Sequence, residues 1–368
     1  MNHRIQNKVL PVLIAVLLLG TGVWNLLTPQ QTYSQSERKV LTTRPEISAE
    51  NILSGKFQKE FEAYAADQFV QRDSYRTVQA VFSRDILLKK DKDGVYLADG
   101  HLSKMEYPMR ETMLDNCVQR FAAIYEQYLQ PAGITPYLVV VPDKNYFLAE
   151  KSGYLSMDYG MLMGYVRENA DFMHTIDVSG LLETDDYYRT DTHWRQEKIV
   201  DVAEAIADEM GADISADYQM KELGTPFYGV YYGQAALPVA PDSICYLTNA
   251  EIEQCTVTNY DTGTGREAFV YDIDKAKDRD AYELFLEGAT PLITIENPQS
   301  VTDRELIIFR DSFGSSIAPL FIHGYAKITL VDIRYIQSSL VGNFVSFENA
   351  DVLFLYSTLL LNNSLALK

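Results

Sequence analysis

One pattern in the second half of this chain can be satisfied by few folds: short, uninterrupted apolar runs that alternate with helical stretches. The runs fall at 137–141, 306–309, 328–331 and 352–355, with a shorter one near 176–178. Helical spacing of apolar residues marks 112–130 and 161–172. A strand that is apolar at every position has no solvent face, so both its sides must be covered, as in a parallel sheet packed between helices. Ligands of such sheets bind outside the carboxyl ends of the strands. Asp143, just past the first run, and Ser312, just past the second, fall at that edge.

Two segments carry the chemistry: Thr190-Asp191-Thr192-His193-Trp194 and Arg310-Asp311-Ser312-Phe313-Gly314. A serine hydroxyl becomes a good nucleophile when a base takes its proton, and imidazole does this near neutral pH. A carboxylate then fixes the tautomer of the imidazole and stabilises its charged form. Ser312 follows a strand and opens a helical stretch, a turn that exposes both the hydroxyl and nearby N–H groups. The N–H groups of Ser312, Phe313 and Gly314 are therefore candidates for an oxyanion hole, where one donor can contribute ~3–4 kcal/mol. Asp191 and His193 are too close for a helix to join them, but an extended turn lets the carboxylate fold back on the ring. Thr190 or Thr192 would cap the following helix, whose core face uses Ile199, Val202, Ile206 and Met210. His101, His174 and His323 are rival bases, and Ser315 and Ser316 rival nucleophiles. No Cys/His spacing suits zinc, and no glycine-rich phosphate loop is present, so no cofactor is expected.

Before these segments, residues 9–27 are almost wholly apolar, long enough to cross a ~30 Å hydrocarbon core as a helix. Arg4 and Lys8 precede them, which by the positive-inside bias keeps the N-terminus cytoplasmic and exports the rest. A cleaved signal peptide is the rival reading. The exit side, 20–25, lacks an A-x-A site, and Trp24 suits a membrane interface, which favours an uncleaved anchor. The chain thus divides into a cytoplasmic stub and anchor (1–27), a tether (28–44), a helical and hairpin region (45–104) and an α/β domain (105–368). Within the last, residues 221–298 read as a β-rich insertion beside the site. The 25 tyrosines of the chain suit either sugar stacking or half-buried strands.

A net charge of −19, from 51 acidic and 32 basic residues, argues against nucleic-acid binding, and 47% hydrophobic residues argue against disorder. Three cysteines are too few for a disulfide framework. Cys245 and Cys255 are spaced to pair across a hairpin, while Cys117 lies in a helical pattern as core packing.

The Thr-Asp-x-His-Trp segment, followed downstream by Asp-Ser-Phe and by Val331-Asp332-Ile333-Arg334-Tyr335, resembles the DHHW protein family. The likeness includes Arg44-Pro45-Glu46, Ser54-Gly55-Lys56-Phe57, residues 67–73 and Val141-Pro142-Asp143-Lys144. That family is similar to the SGNH-hydrolase-like alginate O-acetyltransferases AlgJ and AlgX. The resemblance implies a flavodoxin-like, three-layer α/β/α domain with Asp191, His193 and Ser312 as catalytic residues. Thr192 replaces the first His of the family signature, at a position that is not the base. Arg310 occupies a place that SGNH proteins usually give to a small residue. Arg334 and Tyr335 match a recurring family feature and become candidates for substrate binding. The implied activity is acetylation of a cell-surface polysaccharide through an acetyl-serine, with a membrane-bound O-acyltransferase partner supplying acetyl groups. An acetyl esterase using the same residues, or a non-catalytic glycan-binding scaffold of the envelope, are the alternatives.

Overall fold

The computed structural model describes residues 3–34, 36–277 and 280–368, with side chains from residue 9 onward. Gln35 of the expected tether, Asp278 and Arg279 of the expected insertion, and the side chains of Arg4 and Lys8 lie outside the described parts. The chain forms two compact units, one of Met1–Lys92 with Tyr232–Pro238, the other of Asp93–Tyr231 with Val239–Lys368.

The first unit begins with helix α1 (His3–Leu27), in which Val9–Leu27 is long and apolar enough to cross a membrane and is not buried by protein. A short antiparallel pair follows, β1 (Tyr33–Ser34) and β2 (Lys39–Val40), then α2 (Ala49–Leu53), α3 (Lys56–Asp67) and α4 (Arg72–Asp85). Asn25 near the end of α1 accepts a hydrogen bond from the Val70 N–H at 2.8 Å, which ties the α3–α4 turn to the membrane-length helix. Within the expected tether, Lys39 and Thr42 are held by Asp67, whose carboxylate accepts from Lys39 at 2.8 Å and from the Thr42 N–H and hydroxyl at 3.0 and 2.9 Å.

The second unit opens with a hairpin, β3 (Val95–Ala98) and β4 (His101–Lys104). Then come α5 (Glu111–Ile124), β5 (Tyr137–Val141), α6 (Lys144–Ser152), α7 (Tyr159–Asn169), β6 (His174–Ile176) and α8 (Val200–Met210). A separate pair, β7 (Gln219–Phe227) and β8 (Asp242–Thr248), flanks α9 (Val230–Ala235) in sequence, of which Tyr232–Ala235 belong to the first unit. The rest is β9 (Thr256–Asn259), β10 (Arg266–Ala268), β11 (Leu292–Glu296), β12 (Glu305–Arg310), α10 (Phe313–Ile317), β13 (Lys327–Val331), β14 (Ala350–Ser357) and α11 (Thr358–Leu361).

Eight strands form one sheet in the order β10-β9-β11-β13-β12-β14-β5-β6. From β13 to β6 every pairing is parallel. The apolar runs explain this: Leu306 and Ile308 of β12 pack on one face with α8, and Ile307 and Phe309 on the other with α5 and α7. β11, β9 and β10 extend the sheet antiparallel. Part of the 221–298 excursion is therefore sheet, because Val257, Ile293 and Ile295 bury against the same apolar face as β12. Cys117, Cys245 and Cys255 are all free, so the pairing of Cys245 with Cys255 does not occur.

The parallel strands end together in buried polar residues. Asp143 follows β5, Asp311 follows β12, Asp332 follows β13, and Ser357 closes β14; each is at most 2% exposed. That edge positions the site.

Candidate active site

The segment 188–193 is a loop pinched at its base, where Tyr187 bridges Trp194 and the Tyr188 N–H donates to the His193 carbonyl at 3.0 Å. Asp242, at the start of β8, holds the loop by accepting from the Arg189 and Thr190 N–H groups and the Thr190 hydroxyl, at 2.7, 2.9 and 2.6 Å. Thr190 and Thr192 are thus not helix caps: Thr190 is committed to Asp242, and Thr192 is hydrogen-bonded to the Tyr231 hydroxyl at 3.2 Å. A 3₁₀ turn at Gln196–Lys198 separates the loop from α8, so His193 does not lie at that helix terminus. The expected core face of α8 is buried through Ile199, Val202, Ile206 and Met210.

Ser312 is set by the turn from β12 into α10. Asp311 organises it: one carboxylate oxygen accepts from the Ser357 N–H and hydroxyl at 2.8 and 2.6 Å, the other from the Phe313 N–H at 3.0 Å. Its carbonyl accepts from the Gly314 N–H at 3.1 Å. This corrects the expected oxyanion hole. The N–H groups of Phe313 and Gly314 are used by Asp311, an Asx-type turn competing for the same donors. The Ser312 N–H has no acceptor among the described residues. Ser315 and Ser316 are fully buried in α10. Ser316 serves as an acceptor for the Trp194 indole at 2.9 Å and the Tyr282 hydroxyl at 2.8 Å.

The two segments meet. His193 Nδ1 lies 2.6 Å from Asp191 Oδ1, and His193 Nε2 lies 2.7 Å from Ser312 Oγ. With the proton on Nδ1 facing Asp191, Nε2 is the acceptor for the Ser312 hydroxyl. The second Asp191 oxygen accepts from the Val230 N–H at 2.8 Å. Asp191 and His193 are buried, whereas Ser312 remains partly exposed, as a nucleophile must. The other histidines described with side chains are engaged elsewhere: His101 with Asp185, His174 with Glu209 and His323 with Glu251.

Arg310 is fully buried, 3.7 Å from Asp332, and donates to the Gly288 carbonyl at 3.0 Å. A large residue fits here because Gly314 is small: a Cβ on Gly314 would come within 2.6 Å of the Arg310 Cβ. Arg334 gives two donors to Asp332, at 2.9 and 2.6 Å, and its guanidinium lies 5.4 Å from the centre of the Tyr335 ring, which is half exposed. Neither Arg334 nor Tyr335 is brought into hydrogen-bonding contact with Ser312 or His193.

Sequence reasoning gave no role at the site to Tyr282 or Lys144. The Tyr282 ring lies parallel to His193, with centroids 3.8 Å apart and planes 6° from parallel. Lys144 is completely buried beneath the loop and donates to the Tyr188 and Arg189 carbonyls at 2.7 and 3.3 Å. Burial pushes its pKa down to about 7, against the opposing pull of Asp191, Asp242 and Asp143. Asp143 itself is a structural anchor for α6 and α11, accepting from Tyr159, Thr358 and the Asn145 N–H; burial pushes its pKa up.

The chain matches no family model and no curated protein sequence. Its backbone is similar to solved structures. A DHHW family protein from Eubacterium siraeum matches over 73% of this chain and 91% of its own, at 20% identity and a TM-score of 0.57. Bacillus cereus PatB1 carrying a sulfonyl adduct matches over 72% and 93%, at 17% identity and a TM-score of 0.57. The O-acetyltransferase domain of Pseudomonas putida AlgJ matches over 73% and 92%, at 14% identity and a TM-score of 0.42. The DHHW resemblance read from the sequence thus holds at the level of fold.

Proposed function

We propose that this protein is a membrane-anchored O-acetyltransferase of SGNH-like layering, which acetylates a cell-surface polysaccharide outside the cytoplasm. The observation that carries this reading is the hydrogen-bonded chain from Asp191 through His193 to Ser312. In the first step Ser312 Oγ forms a bond to the donor's acetyl carbonyl carbon while His193 Nε2 takes the hydroxyl proton. The imidazolium, balanced by Asp191, returns that proton to the departing donor group, leaving acetyl-Ser312. A sugar hydroxyl then attacks the acyl carbon, gives its proton to His193, and expels Ser312 Oγ, which recovers the proton. The Ser312 N–H is the backbone donor available to the oxyanion; additional donors would have to come from other groups.

The membrane-length helix α1 supports anchoring, with the catalytic unit on the exported side and a membrane-bound O-acyltransferase partner as the source of acetyl groups. The fold shared with a DHHW family protein and with PatB1 is compatible with this chemistry.

The test uses the full chain in detergent, treated with a sulfonyl fluoride or a chromogenic acetyl ester and read by intact mass and initial rate. Wild type is expected to gain one adduct on Ser312. Ser312→Ala and His193→Gln are expected to lose it, with rates falling about 10³-fold or more. Acceleration by added polysaccharide identifies a transferase; hydrolysis indifferent to it identifies an esterase. Equal traces in all three proteins would remove the catalytic reading and favour a glycan-binding scaffold.

A further inference from the structure

The stacked pair of His193 and Tyr282 carries more than packing. Tyr282 is locked from every side. Its N–H donates to Asp280 at 3.0 Å, and its ring meets Phe285 at 5.2 Å and the edge of Tyr188 at 6.4 Å. Its hydroxyl donates to Ser316 Oγ at 2.8 Å and lies 3.3 Å from the Ser312 carbonyl. Burial pushes the phenol pKa up, so the hydroxyl stays protonated and remains a donor. The ring therefore cannot tilt without breaking contacts to the turn that bears Ser312. His193, lying parallel at 3.8 Å, inherits that plane.

The face of a phenol ring is electron-rich, and a cation over it is attracted more than a neutral group of the same shape. The imidazole of His193 becomes a cation when it takes the Ser312 proton. The groups around it are Asp191 on its own loop, Ser312 and the Phe313 ring (5.2 Å) from the turn after β12, and Tyr282. Further charges act on these groups: Lys144 on Asp191, and Asp311 and Arg310 on Tyr282.

Resting on the acyl-transfer reading, we propose that Tyr282 is the positioning residue of the base. Its ring fixes the imidazole plane and its face stabilises the imidazolium, while its hydroxyl ties that plane to the Ser312 turn. One face of His193 is thereby closed, so the acyl donor approaches Ser312 from the side away from Tyr282.

The test compares wild type, Tyr282→Phe, Tyr282→Leu and Tyr282→Met as full chains in detergent. Two readouts are taken against pH: the rate of Ser312 modification, and the NMR titration of the His193 Hε1 resonance, assigned by its loss in His193→Gln. With the aromatic face removed, the titration midpoint and the acid limb of the rate profile are expected to move about one pH unit toward acid. Tyr282→Phe keeps the face and is expected to keep both within a few tenths of a unit, while reacting more slowly because the tie to Ser316 is lost. Met fills irregular space, so it stands in if the Leu variant fails to fold. The proposal is overturned if a folded Leu or Met variant titrates as wild type does, or if Phe shifts as far as they do. The NMR titration reads the pair without turnover, so a protein lacking any Ser312 adduct would refute the acyl-transfer reading while still deciding this one.

Discussion

Gly229 approaches Asp191 so closely that a Cβ at position 229 would fall inside the van der Waals envelope of the Asp191 backbone and Cβ. The Gly229 N–H also donates to Thr190 Oγ1 at 2.9 Å, and the neighbouring Val230 N–H to the Asp191 carboxylate. Gly229→Ala must push the Asp191 loop away from this support. A stability loss of about 1–3 kcal/mol is expected from overpacking, read by urea unfolding. Ser312 modification should fall by a larger factor than stability accounts for, since the displaced residue orients the base.

Asp311→Asn tests the turn beneath the nucleophile. The carboxylate accepts from three donors, whereas an amide offers one acceptor oxygen and turns an NH₂ toward the others. A loss of about 2–3 kcal/mol is expected because the group is buried. Ser357→Ala removes one of the donors and should cost about 1 kcal/mol. Both are read by urea unfolding beside the Ser312 modification rate, and the order of the two rates should follow the order of the stabilities.

Lys144 gives the protein a pH signature. Its pKa falls from 10.5 to about 7 on burial. Between those values the unfolded chain binds the proton and the folded chain does not, so stability from this group rises as pH rises from about 7 toward 10.5. Below about 7 the cost of burying the cation is fully present. Lys144→Met is expected to abolish this rise, so that wild type gains stability relative to the variant as urea midpoints are taken from pH 7 to 9.5. An unchanged slope would show that Lys144 does not titrate in that range.

In the first unit, Asp67 gives a pH signature at the acid end of the range. Burial opposes its ionisation, yet hydrogen bonds from Lys39 and Thr42 win and hold its pKa at about 2. A depressed carboxylate stabilises the fold above its unfolded value of about 4, and that contribution is lost as pH falls through about 2. The protection of amides 39–42 against exchange, taken relative to the intrinsic rate at each pH, should therefore fall in acid in wild type. In Asp67→Asn it should be low at neutral pH already.

The legible parts of the sequence were those where one residue type answers one physical need. Continuous apolar runs such as 306–309 have no stable place except a sheet covered twice, and the α8 face of Ile199, Val202, Ile206 and Met210 follows from helical spacing. Asp191, His193 and Ser312 were legible as types. Their meeting was not, because it depends on Asp242 and Gly229, which shape the loop from positions well downstream. Tyr282 lies 89 residues beyond His193 in a segment without periodicity, and aromatic residues there suit many surroundings. The oxyanion donors were misread for a local reason: an Asp directly before Ser312 captures the N–H groups that the turn would otherwise present.

The three unpaired thiols bear on how the protein can be made. Burial pushes Cys117 and Cys255 up to about 12, and raises Cys245 as well, so little thiolate forms near neutral pH. No covalent crosslink has to be written into the chain after synthesis. The same molecule should thus result whether it matures under oxidising or reducing conditions.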